Sequence, residues 1–186
     1  MEEYAYVLDF IPYGERASGS SIAQLMGEKF FALLDAVVKE NVNLSVGDRV
    51  YVGKELEKRE AVKKIRGRIS NDQLTATAHE NMTDVIRKMM ANDSTKYLDF
   101  INHCGPISIR VHQLELIPGI GKKNIKAILE ERDKKPFESF DEIKARVHSW
   151  LDPAGSIAER IKREISGMEK YNLFVTPMPK EYPPHF

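Results

Sequence analysis

Residues 4–11 (Tyr-Ala-Tyr-Val-Leu-Asp-Phe-Ile) are aromatic and β-branched and predict a strand. The apolar run at 30–38 is too short to separate strand from helix by period alone. Its neighbours downstream decide for β-structure. Val42, Leu44 and Val46 alternate with polar residues, Gly47-Asp48 makes a turn, and residues 49–53 read as the next short strand. Residues 62–69 mix β-branched and basic side chains, and Ser70-Asn71-Asp72 signals another turn. Residues 1–72 therefore predict a small β-rich domain, and closing such short strands into a barrel removes their exposed edges.

Beyond this point the period changes. Leu74, Ala78, Met82, Val85, Ile86, Met89 and Met90 fall on one helical face, with Thr75 as N-cap and Asn92-Asp93 as stop. The Met-rich face reads as core packing. A shorter helix starts at Ser94 or Thr95, places Tyr97, Leu98 and Ile101 on one side, and ends at Gly105-Pro106, so residues 73–104 form a helical connector. The spacing of Ile107, Val111 and Leu114 predicts that residues 107–117 continue as a helix. Ile125, Ile128 and Leu129 mark the next one. Ser139 with Glu142, and Ser156 with Glu159, read as capping boxes opening two more. Residues 169–186 hold Pro177, Pro179, Pro183 and Pro184 without helical period and predict an extended tail.

Composition narrows the classes. The chain of 186 residues is 42% hydrophobic, enough for a sizeable core, and no stretch reaches the length of a membrane span. The acidic N-terminus lacks the basic segment of a secretory signal, and a cytoplasmic setting is the default expectation. Cys104 is the only cysteine, which excludes an internal disulfide framework and a multi-cysteine zinc site. Net charge is zero, yet it is unevenly spread: residues 1–48 carry 3 basic against 8 acidic side chains, and residues 49–68 carry 8 against 3. Local patches of this kind, rather than net charge, decide phosphate binding.

The candidate chemistry lies at Leu116-Ile117-Pro118-Gly119-Ile120-Gly121-Lys122-Lys123-Asn124-Ile125. Glycines at 119 and 121 allow close backbone approach. The turn opens into a helix whose N-terminus carries donors and partial positive charge. Lys122 and Lys123 are unfavourable there for the helix itself and make sense if an anion arrives. Ile120 plugs the hairpin onto its helices. The stretch resembles the helix-hairpin-helix family, whose hairpin is apolar-Pro-Gly-apolar-Gly and which grips nucleic-acid backbones without reading bases. The resemblance implies phosphate contacts at Gly119, Ile120, Gly121, Lys122 and Lys123. Such units often come in pairs. A shift of 33 residues sets Ala158 on Ile125 and Ile161 on Ile128, and puts Asp152 and Ala154 where Gly119 and Gly121 stand, so the second hairpin at 151–155 reads as a degenerate structural partner; an alternative register using Gly155 leaves a weaker second phosphate site open.

One hairpin gives weak, salt-sensitive binding, so a second surface is required. The basic stretch Lys54, Lys58, Arg59, Lys63, Lys64, Arg66 and Arg68 is the expected one, and Tyr51 beside it either stacks on a base or packs the barrel. The order of barrel, connector and hairpins, with the stretches YVLDFIPYG, GDRVYVG and HQLELIPGIGKK, also resembles an uncharacterised archaeal family of predicted nucleic-acid-binding proteins with an OB-like domain. The combined expectation is an α+β multidomain chain: an OB-like β-barrel (1–72), the connector (73–104), a tandem helix-hairpin-helix domain (105–168) and the tail (169–186). Its expected partner is RNA or DNA backbone, RNA slightly favoured, with no catalysis, cofactor, metal or membrane.

Two other classes remain. Helix-hairpin-helix DNA glycosylases place a lysine just after the hairpin and a carboxylate about twenty residues on, offsets that Lys123 and Asp141 occupy; the chemistry would be amine attack at a sugar carbon. A protein-docking module is the third class. His79, His103, His112, His148 and His185 are scattered without ligand spacing, and His103-Cys104 is a neighbouring pair only.

Overall fold

A computed structural model describes residues 1–15 and 19–176. The chain divides into two compact units, Met1–Val85 with the stretch from Glu164 onward, and Ile86–Arg163. The class is α+β. Strands β1 (Tyr4–Glu15), β2 (Ser20–Gly27), β3 (Leu33–Val38), β4 (Arg49–Tyr51) and β5 (Val62–Arg68) form one antiparallel sheet of order β4-β1-β2-β3-β5, curled into a half-barrel. Bulges in β1 and β5 strengthen the local twist that curls it. The inner face is apolar, with Ala5, Val7, Leu25, Leu34, Val50 and Val62 in one cluster.

Strand β2 carries no alternation and was not legible in the sequence. Every residue from Ile22 to Met26 is buried, as expected of a strand covered on both faces. Its one polar member, Gln24, uses both ends of its amide: Nε2 donates to the Gln73 carbonyl at 3.0 Å and Oε1 accepts from Thr75 N at 2.8 Å. Residues 42–46, expected as a strand, are a loop instead. Asn41 (φ 62°) and Gly47 (φ 82°) take left-handed backbone at either end of this stretch, which breaks an extended run. The alternation of Val42 and Leu44 has another cause: both pack on the inner apolar face.

Helix α1 (Ala76–Asn92) starts where expected. Thr75 Oγ1 accepts from Ala78 N at 3.0 Å and donates to Asp9 Oδ2 at 2.6 Å, while Asn81 reaches the Leu8 carbonyl. The start of α1 thus occupies the face of the sheet that carries Asp9 and Gln24. Ala78, Met82, Val85, Ile86, Met89 and Met90 are all buried, so the Met-rich face is core. Helix α2 (Thr95–His103) buries Tyr97, Leu98 and Ile101 as its period predicts.

The helix expected over 107–117 is absent. Pro106 bridges His112, Ile107 N donates to the Val111 carbonyl at 2.8 Å, and only Gln113–Leu116 coils, as a 3-10 turn. The chain turns back on itself here: Ser108 N donates to the Val111 carbonyl at 3.2 Å and Val111 N to the Ser108 carbonyl at 3.4 Å, which no helix allows. The helical turn begins at its own cap: His112 Nδ1 accepts from Leu114 N at 3.1 Å and Glu115 accepts from His112 N at 2.9 Å. Helices α3 (Lys122–Lys134), α4 (Phe140–Arg146) and α5 (Pro153–Ile165) complete the second unit.

Two buried carboxylates fasten the ends of the first unit. Glu2 accepts from the backbone of Lys29, Phe30 and Ala32, and Glu164 accepts from Leu173, Phe174 and Val175. The four prolines of the expected tail lie outside the described residues. Among the described residues no helix is long and apolar enough to cross a membrane.

Candidate nucleic-acid interface

Four residues make the first hairpin. Ile120 N donates to the Ile117 carbonyl at 3.2 Å across Pro118 and Gly119, and Gly119 has φ 82°. Proline second and left-handed glycine third make a type II turn, which explains both residue types. Ile120 is buried, as the plug role requires. Gly121 then serves as N-cap of α3 with extended backbone and no side-chain cap, and a Cβ there would meet only open space. No acidic residue lies in the first turn of α3, and Lys122 and Lys123 are exposed on it.

The hairpin is held from behind. The Arg160 guanidinium, 2% exposed, donates to the Leu116 carbonyl at 3.1 Å. Asn124 donates to the carbonyls of Gly119 and Ser149, which ties the two hairpin loops side by side. Trp150 Nε1 donates to Ser156 Oγ at 3.1 Å. Ser156 is therefore inside α5 and not its N-cap, contrary to the expected capping box. Ser139 is the N-cap of α4 as expected, accepting from Glu142 N at 3.1 Å, but the Glu142 carboxylate reaches Glu138 N instead of closing the box.

The second hairpin is built differently. The apolar faces keep the 33-residue register, with Ala158 and Ile161 buried like Ile125 and Ile128. Helix α5 nevertheless starts only 31 residues after α3, at Pro153 against Lys122. That places Asp152, rather than Ala154, in the N-cap position that Gly121 holds in the first hairpin. Asp152 Oδ1 accepts from Gly155 N at 3.0 Å, and Oδ2 pairs with the Arg87 guanidinium from α1. Burial alone would raise the Asp152 carboxyl; Arg87, the Gly155 N–H and Lys144 outweigh it and hold it below the usual carboxylate range. Sequence reading gave no role to Arg87, Lys144, Asn124 or Arg160; Arg87 stands 65 residues from Asp152 and Arg160 stands 44 from Leu116, too far for a local pattern to pair them.

In the first unit the expected basic stretch is spread out. Lys58 pairs with Glu55 at 2.8 Å and Arg66 with Asp35 at 3.6 Å. Arg59 is tied to the carbonyls of Val52 and Gly53. Lys54, Lys63, Lys64 and Arg68 are exposed without an acidic partner among the described residues. Bulges in β5 set Lys64 beside Val37 and Arg68 beside Leu34, which lie on opposite faces of β3. Tyr51 meets Tyr4 edge-on at 5.3 Å between ring centroids, and its hydroxyl lies 3.4 Å from Glu55. Arg49, outside the expected set, stacks over Tyr4 at 3.5 Å and pairs with Glu28.

The family model described as "Protein of unknown function (DUF655)" matches residues 1–176. The chain belongs to this family. It is 40% identical over 177 residues to the uncharacterised protein MJ0038 of Methanocaldococcus jannaschii, covering 94% of this chain and 80% of that protein. It is similar to the crystal structure of Af1531 from Archaeoglobus fulgidus, described as of the same family. There the TM-score is 0.85 at 42% identity, over 94% of this chain and 100% of that one. The family is one of uncharacterised archaeal proteins, as the sequence resemblance implied.

In this family member, Lys123 and Asp141 are both exposed, and no hydrogen bond or ion pair joins them among the described residues. Burial pushes the Cys104 thiol up against the opposing pull of Arg132, which donates to the Cys104 carbonyl and sulfur. No group of three His, Cys, Asp or Glu with metal-holding geometry occurs among the described residues. His185 lies outside them.

Proposed function

We propose that this chain is a non-catalytic nucleic-acid-binding protein that grips backbone phosphate at the hairpin Pro118–Lys123, with RNA slightly favoured over DNA. One observation carries the reading: the start of α3 is capped by a glycine, faces open space, lacks acidic residues and presents two exposed lysines. A helix N-terminus so arranged offers backbone donors, a favourable dipole and mobile cations to one anion. Backbone contacts of this type position a nucleic acid without reading its sequence. The exposed cations Lys54, Lys63, Lys64 and Arg68 of the first unit supply a second contact. The strand order β4-β1-β2-β3-β5 supports an OB-like reading of that unit, as a barrel left open between β4 and β5.

The test is binding of labelled single- and double-stranded RNA and DNA across a salt series. Affinity should fall steeply with salt, since each neutralised phosphate adds a slope of about 0.7–0.9 in log–log terms. A flat salt response overturns the reading. At residue level, Gly121→Val enters open space at an ordinary φ of −93°, so the fold should survive while all four ligands weaken together. Unchanged affinity in the folded variant removes the hairpin from the site.

A further inference from the structure

At the second hairpin the helix start is already met by an anion, and the chain supplies it. We propose that Asp152 is a built-in phosphate mimic that withholds the second hairpin from nucleic acid and limits this chain to one hairpin anchor, an inference that rests on the nucleic-acid reading above. A plain helix cap uses one carboxylate oxygen, and Oδ1 fills that role at Gly155 N. The other oxygen is held by Arg87, 65 residues earlier in the chain, so the guanidinium that a phosphate there would need is already engaged by Asp152.

Gly155 leaves room for the pair. It sits in the first turn of α5. A methyl group there would collide with both the Asp152 carboxylate and the Arg87 guanidinium. Lys144 adds a weaker attraction to the same carboxylate. The first hairpin has the opposite arrangement, with cations and no carboxylate. Removing the Asp152 charge leaves Arg87 without this carboxylate beside a helix N-terminus, which is the chemistry that recognises a phosphodiester.

Asp152→Asn tests this, because asparagine caps helices as well as aspartate does. The probes are labelled single-stranded and duplex oligonucleotides of RNA and DNA, titrated against the full chain over a salt series. Asp152→Asn should tighten binding roughly threefold or more at low salt and steepen the log–log salt slope by about 0.7–0.9, the signature of one added phosphate. Asp152→Ser should do the same, and adding Arg87→Gln to Asp152→Asn should return the slope to that of the parent. If the parent chain binds and both folded Asp152 variants match it in affinity and slope, the inference is overturned and the anchor reading stands. If the parent chain binds none of the four probes, the anchor reading falls and takes the inference with it.

Discussion

The two hairpins of the second unit lie side by side, joined by Asn124, and end in opposite chemistry. At the first, the cap is Gly121, bare and open, behind a type II turn that needs Gly119. At the second, the cap is Asp152, engaged by both Gly155 and Arg87. Both begin helices that bury similar apolar faces in the same register. The scaffold is thus shared between the halves while the helix start is free to differ, by as little as where the first turn begins. Two extra residues at the front of α5 are enough to replace an open donor cluster with a satisfied one.

Breaking the support beneath the open hairpin should give the largest effect. Arg160→Ala removes a buried guanidinium from the Leu116 carbonyl and should cost on the order of 2–3 kcal/mol in chemical unfolding. A loss below about 0.5 kcal/mol would show that α5 does not hold this turn. Next in size, Gly119→Ala places a Cβ in the left-handed region and should cost about 1–2 kcal/mol. Gly121→Ala, at ordinary φ, should cost less than half of that; equal losses would erase the distinction between turn and cap.

At the closed hairpin, Asp152→Ala should cost about 1 kcal/mol through loss of the cap, and Asp152→Asn close to nothing. Equal destabilisation by both would mean that charge, and not capping, secures α5. The smallest effect is one of pH. Burial, with Arg132 nearby, pushes the His112 pKa below 6.5, although Glu115 opposes the shift. Its Nδ1 must also stay unprotonated to accept from Leu114 N. The folded state therefore favours the neutral ring. Its contribution is complete above pH 6.5 and is lost as pH falls from there through the lowered folded value. Thermal unfolding of the parent chain should come at lower temperature in that window, and His112→Asn, which can still cap, should shift less. Parallel curves would remove His112 as the cause.

What was legible in the sequence was local. Pro118-Gly119-Ile120-Gly121 announced its turn, Thr75 its cap and the Met82–Met90 face its burial, because each depends on neighbours within one or two helical turns. Four features were not legible. Strand β2 is buried on both faces, so no period marks it. Residues 42–46 alternate because Val42 and Leu44 pack on the sheet, which imitates a strand, and Ile107, Val111 and Leu114 keep a helical spacing across a tight turn, which imitates a helix. The closing of the second hairpin depends on Arg87, and nothing near Asp152 in the chain predicts that partner. The candidate site divides the same way: its open half is written locally, and its closed half is set by a contact across 65 residues.

The carboxylates of Glu2 and Glu164 have a practical consequence for anyone cutting or tagging this chain. Each serves three backbone N–H groups, so each works as a clasp whose other half is a short stretch of chain. A deletion that ends before Leu173 strips all three of these donors from Glu164, while one that ends after Val175 spares the clasp. The front end has a narrower margin: losing Glu2 leaves the N–H groups of Lys29, Phe30 and Ala32 without their acceptor at the turn into β3. Expression boundaries drawn at residues 2 and 175 keep both fasteners; boundaries a few residues inside either one remove that end's clasp.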